Sequence, residues 1–338
     1  MASSSWRRRI SWLLPLAGVS LLIALAASVS WRSVLSSLHG LLWPWLLAAI
    51  ALAATSVSLR ALRLSLALGR HSDRSKTWQS VCLGYFASLF LPLGGGELVK
   101  VAALNRLAGV SVSRATTALA IDRLFDISTL LALLMTVLGH GLMSGVRAGP
   151  VMFLAISSTI VMASLIFLML SGSSLRPRMQ AWTSRHPKRM AWLHRFDEIH
   201  DQTLSLRSPS LLGMLGLLQA CIFAVDVTAA KSCLLAFPFG PGLPGFASLR
   251  LAFFTMVSFA VPLLPGGFGS HQAAAIFALA PFGLGISQAL AVSLAGEATH
   301  VLTLTSLGIG AALASGLNPF RMGQPHRASD PARPPEEP

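Results

Sequence analysis

Long apolar blocks almost free of charge govern what this chain can fold into. Several run well past ten residues without an Asp, Glu, Lys or Arg, and a helix needs roughly 20 residues to cross the hydrocarbon core of a bilayer. Charged residues make up 11% of the chain, against about 25% in a soluble domain. Hydrophobic residues reach 54% and the mean hydropathy is +0.67. That is too little charge to cover a water-facing surface. Inside a bilayer, backbone polar groups must be satisfied within each helix. The expected class is therefore an all-α, polytopic integral membrane protein.

The sign of the charge is uneven as well. Twenty-six Lys and Arg face twelve Asp and Glu, for a net charge of +14. In a soluble protein this would suggest nucleic acid. Here the basic residues gather in short segments between apolar blocks, as the positive-inside rule predicts for cytoplasmic loops. There is a single Tyr and no basic helix interleaved with aromatics, so nucleic acid is set aside as a partner. Cys82, Cys221 and Cys233 lie in apolar context without paired spacing, which points to neither a disulfide framework nor a metal site.

Laid across a membrane, the chain yields six full spans and two re-entrant helical hairpins. The spans are Ser11 to Val29, Leu41 to Leu62, Ala115 to Leu138, Pro150 to Ser171, Leu211 to Ala236 and Ile286 to Ala314. The first follows Arg7, Arg8 and Arg9, as a signal peptide would, but reads as a retained helix because the remainder is polytopic. Residues 80–110 form a short apolar segment broken at Pro92-Leu93-Gly94-Gly95-Gly96, a hairpin entering from the cytoplasm. Residues 249–282 are broken at Pro265-Gly266-Gly267-Phe268-Gly269, a hairpin entering from outside. The basic loop 172–208 is cytoplasmic and partly an amphipathic surface helix, and the tail 318–338 is disordered. In this assignment cytoplasmic segments hold 22 of the 26 Lys and Arg, including Arg60 and Arg63 after the second span. Both termini are then cytoplasmic. Two halves, 1–140 and 150–316, repeat the order of elements with opposite orientation, the inverted-topology pattern of transporters.

Ionisable groups inside a membrane are costly and mark function by default. Glu97 and Lys100 stand three apart after a glycine cluster. They form either a local ion pair or, with Gly96 and the helix N-terminus, a phosphate-binding turn. Asp122, Arg123 and Asp126 open the third span, with the two carboxylates on one face. They call for a cation from Arg123 of a neighbouring turn, from Lys100 or from a substrate, unless they serve only the helix dipole. Asp226 and Lys231 lie within the fifth span on different faces, and Glu297 and His300 share a face of the last. Adjacent Ser270 and His271 lack any nucleophile motif, and no zinc spacing occurs. No catalytic residue, metal or cofactor is expected.

The stretches Leu91-Pro92-Leu93-Gly94-Gly95-Gly96-Glu97-Leu98-Val99-Lys100, Leu104-Asn105-Arg106-Leu107-Ala108-Gly109-Val110, Asp122-Arg123-Leu124-Phe125-Asp126 and Pro262-Leu263-Leu264-Pro265-Gly266-Gly267-Phe268-Gly269 together resemble the lysylphosphatidylglycerol synthase transmembrane region, the flippase-like UPF0104 family. The resemblance covers most of the chain. It implies a role in moving lipids between leaflets, without the aminoacyl-transfer chemistry, which in the family belongs to a separate soluble domain. Gly96, Glu97, Lys100, Asp122, Arg123, Asp126 and the Pro265-Gly266-Gly267 turn match the family pattern. Three positions depart from it. The Arg usual after the first Pro is absent in the Leu93-Gly94 region, the Glu expected after the second glycine turn falls on Gln272, and the Arg of the last span falls near Glu297. The last two read as one coupled change, a Glu facing an Arg replaced by Gln facing Glu.

The resulting expectation is a bacterial inner-membrane lipid transporter, not an enzyme, with an anionic or zwitterionic headgroup lipid as substrate. The candidate binding residues are Gly96, Glu97, Lys100, Asp122, Arg123, Asp126, Asp226, Lys231, Gly266, Gly267, Gln272, Glu297 and His300. The alternatives are an ion-coupled small-solute transporter, or a membrane scaffold for a lipid-biosynthesis enzyme that docks on the basic loop.

Overall fold

The computed structural model of the protein describes residues 30–69, 72–91, 94–142, 208–260 and 268–317. Every long element among them is an α-helix. In chain order these are α1 (Trp31–His39), α2 (Trp43–Leu68), α3 (Arg74–Ser88), α4 (Gly95–Ala108), α5 (Val112–Leu142), α6 (Pro209–Leu235), α7 (Gly245–Ala260), α8 (Ser270–Leu279) and α9 (Ile286–Ser315). The expected spans at Ser11 to Val29 and Pro150 to Ser171, the loop 172–208, the tail and the glycines Gly266 and Gly267 lie outside the described residues.

Local chemistry sets the helix ends. Pro44 and Pro209 sit in the first turns of α2 and α6, where a missing N–H costs nothing. Asp73 caps α3, its carboxylate accepting from the Ser75 and Lys76 amides at 2.8 and 3.4 Å. Helix α4 is bounded by Gly94 and Gly109 at φ +82° and +66°, backbone that L side chains rarely adopt.

Three helices, α2, α6 and α9, are long and apolar enough to cross a membrane. Helix α5 has 31 residues, about 46 Å at 1.5 Å per residue, and carries charges within its length. The remaining long helices come as two pairs. Helices α3 and α4 have 15 and 14 residues, and α7 and α8 have 16 and 10, each below the roughly 20 needed to cross alone. Each pair folds back on itself, and α9 packs against α3 and α8, one member of each. One apolar core joins α2, α3, α4, the start of α5 and the end of α9. A second joins α1, α6, α7, α8 and the start of α9. Large apolar side chains remain outside both, among them Leu98, Phe277 and Leu313. On a water-facing surface such a distribution would be unfavourable, whereas lipid accepts it.

The order of elements departs from expectation at two places. Helix α2 continues past Leu62 to Leu68, because Leu64, Leu66 and Leu68 carry the apolar pattern onward without a breaker. Arg60 and Arg63 are thus helical residues, the first half-buried and the second buried, not charges of a loop. Helix α5 begins at Val112, so Asp122 and Asp126 lie several turns inside it and gain nothing from its N-terminal dipole, which acts within the first turn.

Close backbone approach holds the pairs together. A Cβ built on Gly96 would lie 2.5 Å from the Gly84 carbonyl oxygen and 2.8 Å from Ser88 Cβ, and one on Gly84 would run into the Lys100 stem. Gly308 of α9 meets Phe86 of α3 in the same way. Small residues at such crossings are the usual device of membrane helices. The second pair is clasped differently: Arg250 of α7 donates from Nε to Ala278 O at 3.1 Å and from a terminal nitrogen to Phe277 O at 3.2 Å. Those carbonyls belong to the last turn of α8 and have no partner within the helix.

Gly96→Ala is expected to lower thermal stability in detergent by roughly 1–3 kcal/mol, the range for overpacking. Gly213→Ala, where nothing lies within 4 Å, should leave stability unchanged or raised. Paired melting curves read both effects.

Candidate functional site

Four helices bring four carboxylates and four cations into one network. The core is Arg63 on α2, 1% exposed, which donates to Asp122 on α5 through Nε at 2.7 Å and to Asp126 at 2.9 Å. Its remaining terminal nitrogen donates to Gln219 Oε1 on α6, and its Cζ lies 5.5 Å from the Phe125 ring centroid. Gln219 is held in turn by donating to Phe125 O at 3.1 Å and to Thr129 Oγ1. One turn earlier on α2, Arg60 bridges Asp126 at 2.7 Å and Asp226 of α6 at 2.8 Å. Ser56 Oγ donates to the other Asp226 oxygen at 2.5 Å.

From this centre the network runs outward along α5 to α4. Arg123 donates to Asp126 Oδ2 at 2.9 Å with one nitrogen and to Glu97 with the other. Glu97 also accepts from Lys100 Nζ at 3.0 Å, and that ammonium lies 3.8 Å from the Tyr85 ring centroid. Exposure is 4% at Asp122 and 13% at Asp126, reaches 42% at Arg123 and 34% at Glu97, and falls to 2% at Lys100. The charges balance, four against four. Neutrality is what allows such a set to stay ionised away from water, since each charge left alone would cost several kcal/mol.

The cation expected between Asp122 and Asp126 is therefore not supplied by a substrate or by Lys100. Arg63 and Arg60 supply it from α2, with Arg123 completing Asp126. Neither α2 arginine stood among the candidate residues. A signal for them was available: Ser56, Arg60 and Arg63 fall at i, i+4 and i+7, one face of a helix.

The other candidates divide. Asp226 joins the network through Arg60. Lys231, expected to be buried within its span, is exposed near the end of α6 and forms no ion pair among the described residues. It lines a cavity of about 300 Å³ with Leu234, Pro241, Leu243, Pro244 and Ser248, none of them a member of the network. Gly96 serves the α3–α4 contact. In the second pair, Gln272 of α8 donates from Nε2 to Glu297 Oε2 of α9, and accepts from the Gly269 amide at 2.6 Å. Both side chains are buried. His300 lies one turn on along α9. His271 is buried beside Ser258, Nδ1 to Oγ 3.4 Å, and Ser270 Oγ points to the Ser258 carbonyl at 3.4 Å, so the adjacent Ser–His pair forms no dyad.

A family model, the lysylphosphatidylglycerol synthase TM region, matches residues 12–308, from ahead of α1 to within α9. The chain belongs to this family. No curated protein and no solved structure matches it. Gln272 and Glu297, read from the sequence as one coupled change, are in direct contact. The synthase-region motif Glu97-Leu98-Val99-Lys100 and the motif Asp122-Arg123-Leu124-Phe125-Asp126 are joined by the Arg123–Glu97 ion pair.

Removing Arg63 would leave Asp122 as an uncompensated buried carboxylate. Arg63→Met is expected to cost about 3–5 kcal/mol. Arg63→Lys should restore little, because an ammonium cannot reproduce a fork that holds Asp122, Asp126 and Gln219 together. A double-mutant cycle with Asp122→Asn, read by unfolding in mixed micelles, should give a coupling of at least about 1 kcal/mol.

Proposed function

We propose that this protein carries a polar-headgroup lipid between the two leaflets of a bacterial inner membrane, without catalytic chemistry. One observation carries the reading: a neutral chain of ion pairs, sealed at Arg63–Asp122, becomes half-exposed at Arg123 and Glu97 in an otherwise apolar helical bundle. A lipid needs such a path only for its headgroup, since its acyl chains remain in the bilayer.

The exchange chemistry follows from the ion pairs themselves. The phosphate of an incoming lipid competes with Glu97 for the Arg123 fork, a planar donor suited to phosphate oxygens. Glu97, released from Arg123 but still held by Lys100, then faces an amine or hydroxyl of the same headgroup. Every step replaces one charge-assisted bond by another, so no bare charge crosses the apolar region. The two short helix pairs are read as hairpins dipping from opposite faces, with α2, α5, α6 and α9 as the frame between them. Both termini lie on the cytoplasmic side in this reading, on the distribution of Lys and Arg.

Proteoliposomes carrying labelled phosphatidylglycerol or phosphatidylethanolamine, with an impermeant quencher outside, measure the transfer. Arg123→Ala and Glu97→Gln should each slow it about tenfold or more, corresponding to roughly 1.4 kcal/mol of a lost charge-assisted bond. Their melting temperatures should fall less than that of Arg63→Met, since both residues stand at the exposed edge. Failure of the wild-type chain to redistribute any labelled lipid would count against the whole reading.

A further inference from the structure

The second helix pair holds a carboxyl group that obeys none of the rules of the first. Glu297 is 6% exposed. Its Oε2 accepts from Gln272 Nε2, and its Oε1 is buried with no hydrogen-bond partner among the described residues. Ser293, four residues earlier on α9 and on the same face, buries an Oγ that is likewise without a partner. Among the described residues no cation forms an ion pair with Glu297. An ionised carboxylate there would be the one uncompensated charge in the two clusters.

The surroundings decide what the group can bind. Gln272 must turn its oxygen to the Gly269 amide, a donor, at 2.6 Å. It therefore presents its NH2 group to Glu297, which disfavours a metal cation at that oxygen. From the elements packed against α9, the ionisable groups near Glu297 are His271 of α8 and Cys233 of α6. The thiol of Cys233 donates to Val292 O at 3.7 Å, and both side chains lie near Gly296. Arg60 of α2 is engaged by Asp126 and Asp226. On α3, Tyr85 and Cys82 face Lys100, and α1 contributes no ion pair. On α9 itself Ser293, Glu297 and His300 fall at i, i+4 and i+7, one polar stripe through an apolar helix.

We propose that Glu297 is an intramembrane proton-binding site that couples the transport cycle to the proton gradient. In the arrangement described, Glu297 is a neutral carboxylic acid with the proton on Oε1 and the Gln272 amide on Oε2. The proton enters from water on one side, is carried with the Ser293–His300 stripe, and leaves to water on the other when the α7–α8 pair shifts against α9. The coupling rests on the transport reading; the proton binding does not.

Infrared spectra of the purified full-length protein, taken across a pH series, test the binding directly. A carboxylic-acid C=O band that persists at neutral pH is expected in the wild type, absent in Glu297→Gln and shifted in Glu297→Asp. No such band, or a band unchanged in a monodisperse Glu297→Gln, overturns the site. In proteoliposomes with a trapped pH dye and labelled phosphatidylglycerol, a pH gradient of about one unit should change the wild-type transfer rate by up to about tenfold. Glu297→Gln should abolish that difference. A wild-type rate indifferent to the gradient overturns the coupling. Loss of the band in Glu297→Gln together with no lipid movement supports the proton site and defeats the transport reading instead.

Discussion

The charge on Asp122 has to be answered inside an apolar bundle, and Arg63 is the group that answers it. Much of the first half is arranged around that requirement. Helix α2 must run on to Leu68 so that Arg63 stands level with Asp122 and Gln219. Helix α6 must lie antiparallel to α2, with its end at the start of α2, where the Leu42 amide donates to Ala236 O at 2.8 Å. Gln219 then meets Arg63, and Asp226 meets Arg60. Few other registers of these helices would leave all the charges paired. The ion pairs add little net stability against an apolar core of the same volume, but they penalise wrong packings heavily. Apolar contacts, by contrast, distinguish poorly between one lipid-facing surface and another.

The two polar clusters handle charge in opposite ways. The first gathers four cations and four carboxylates across α2, α4, α5 and α6. The second buries one carboxyl against one amide, with histidines nearby. One cluster is thus built from ion pairs and the other from a carboxyl group hydrogen-bonded to an amide. The departures at Gln272 and Glu297 are what separates them. With an Arg at the last-span position the second centre would be a salt bridge like the first.

How much of this was legible in the sequence depended on the kind of signal. Apolar runs reported the helices well: the expected blocks from Leu41, Leu211 and Ile286 became α2, α6 and α9, and glycine breaks separated the short pairs. The acidic members of the site were also legible, because a carboxylate in an apolar run has no innocent explanation. Arg60 and Arg63 were not. A basic residue near the end of an apolar block fits the positive-inside rule so well that it was sorted as topology. Only the helical register with Ser56 could have shown that these two point inward. Lys231 failed in the opposite direction: placed within an apolar run, it proved to stand at an exposed end, where a long stem can keep its ammonium out of the core.

Arg250 binds α7 to the last carbonyls of α8 at one end of that pair. The clasp has a mechanical meaning. Two helices too short to cross the bilayer would slide past each other readily if apolar contact alone held them. Pinned at Phe277 and Ala278, they are held in one register at that end. Gln272 stands on the same helix, more than one turn from the pin, so the clasp also fixes the helix that presents the amide to Glu297.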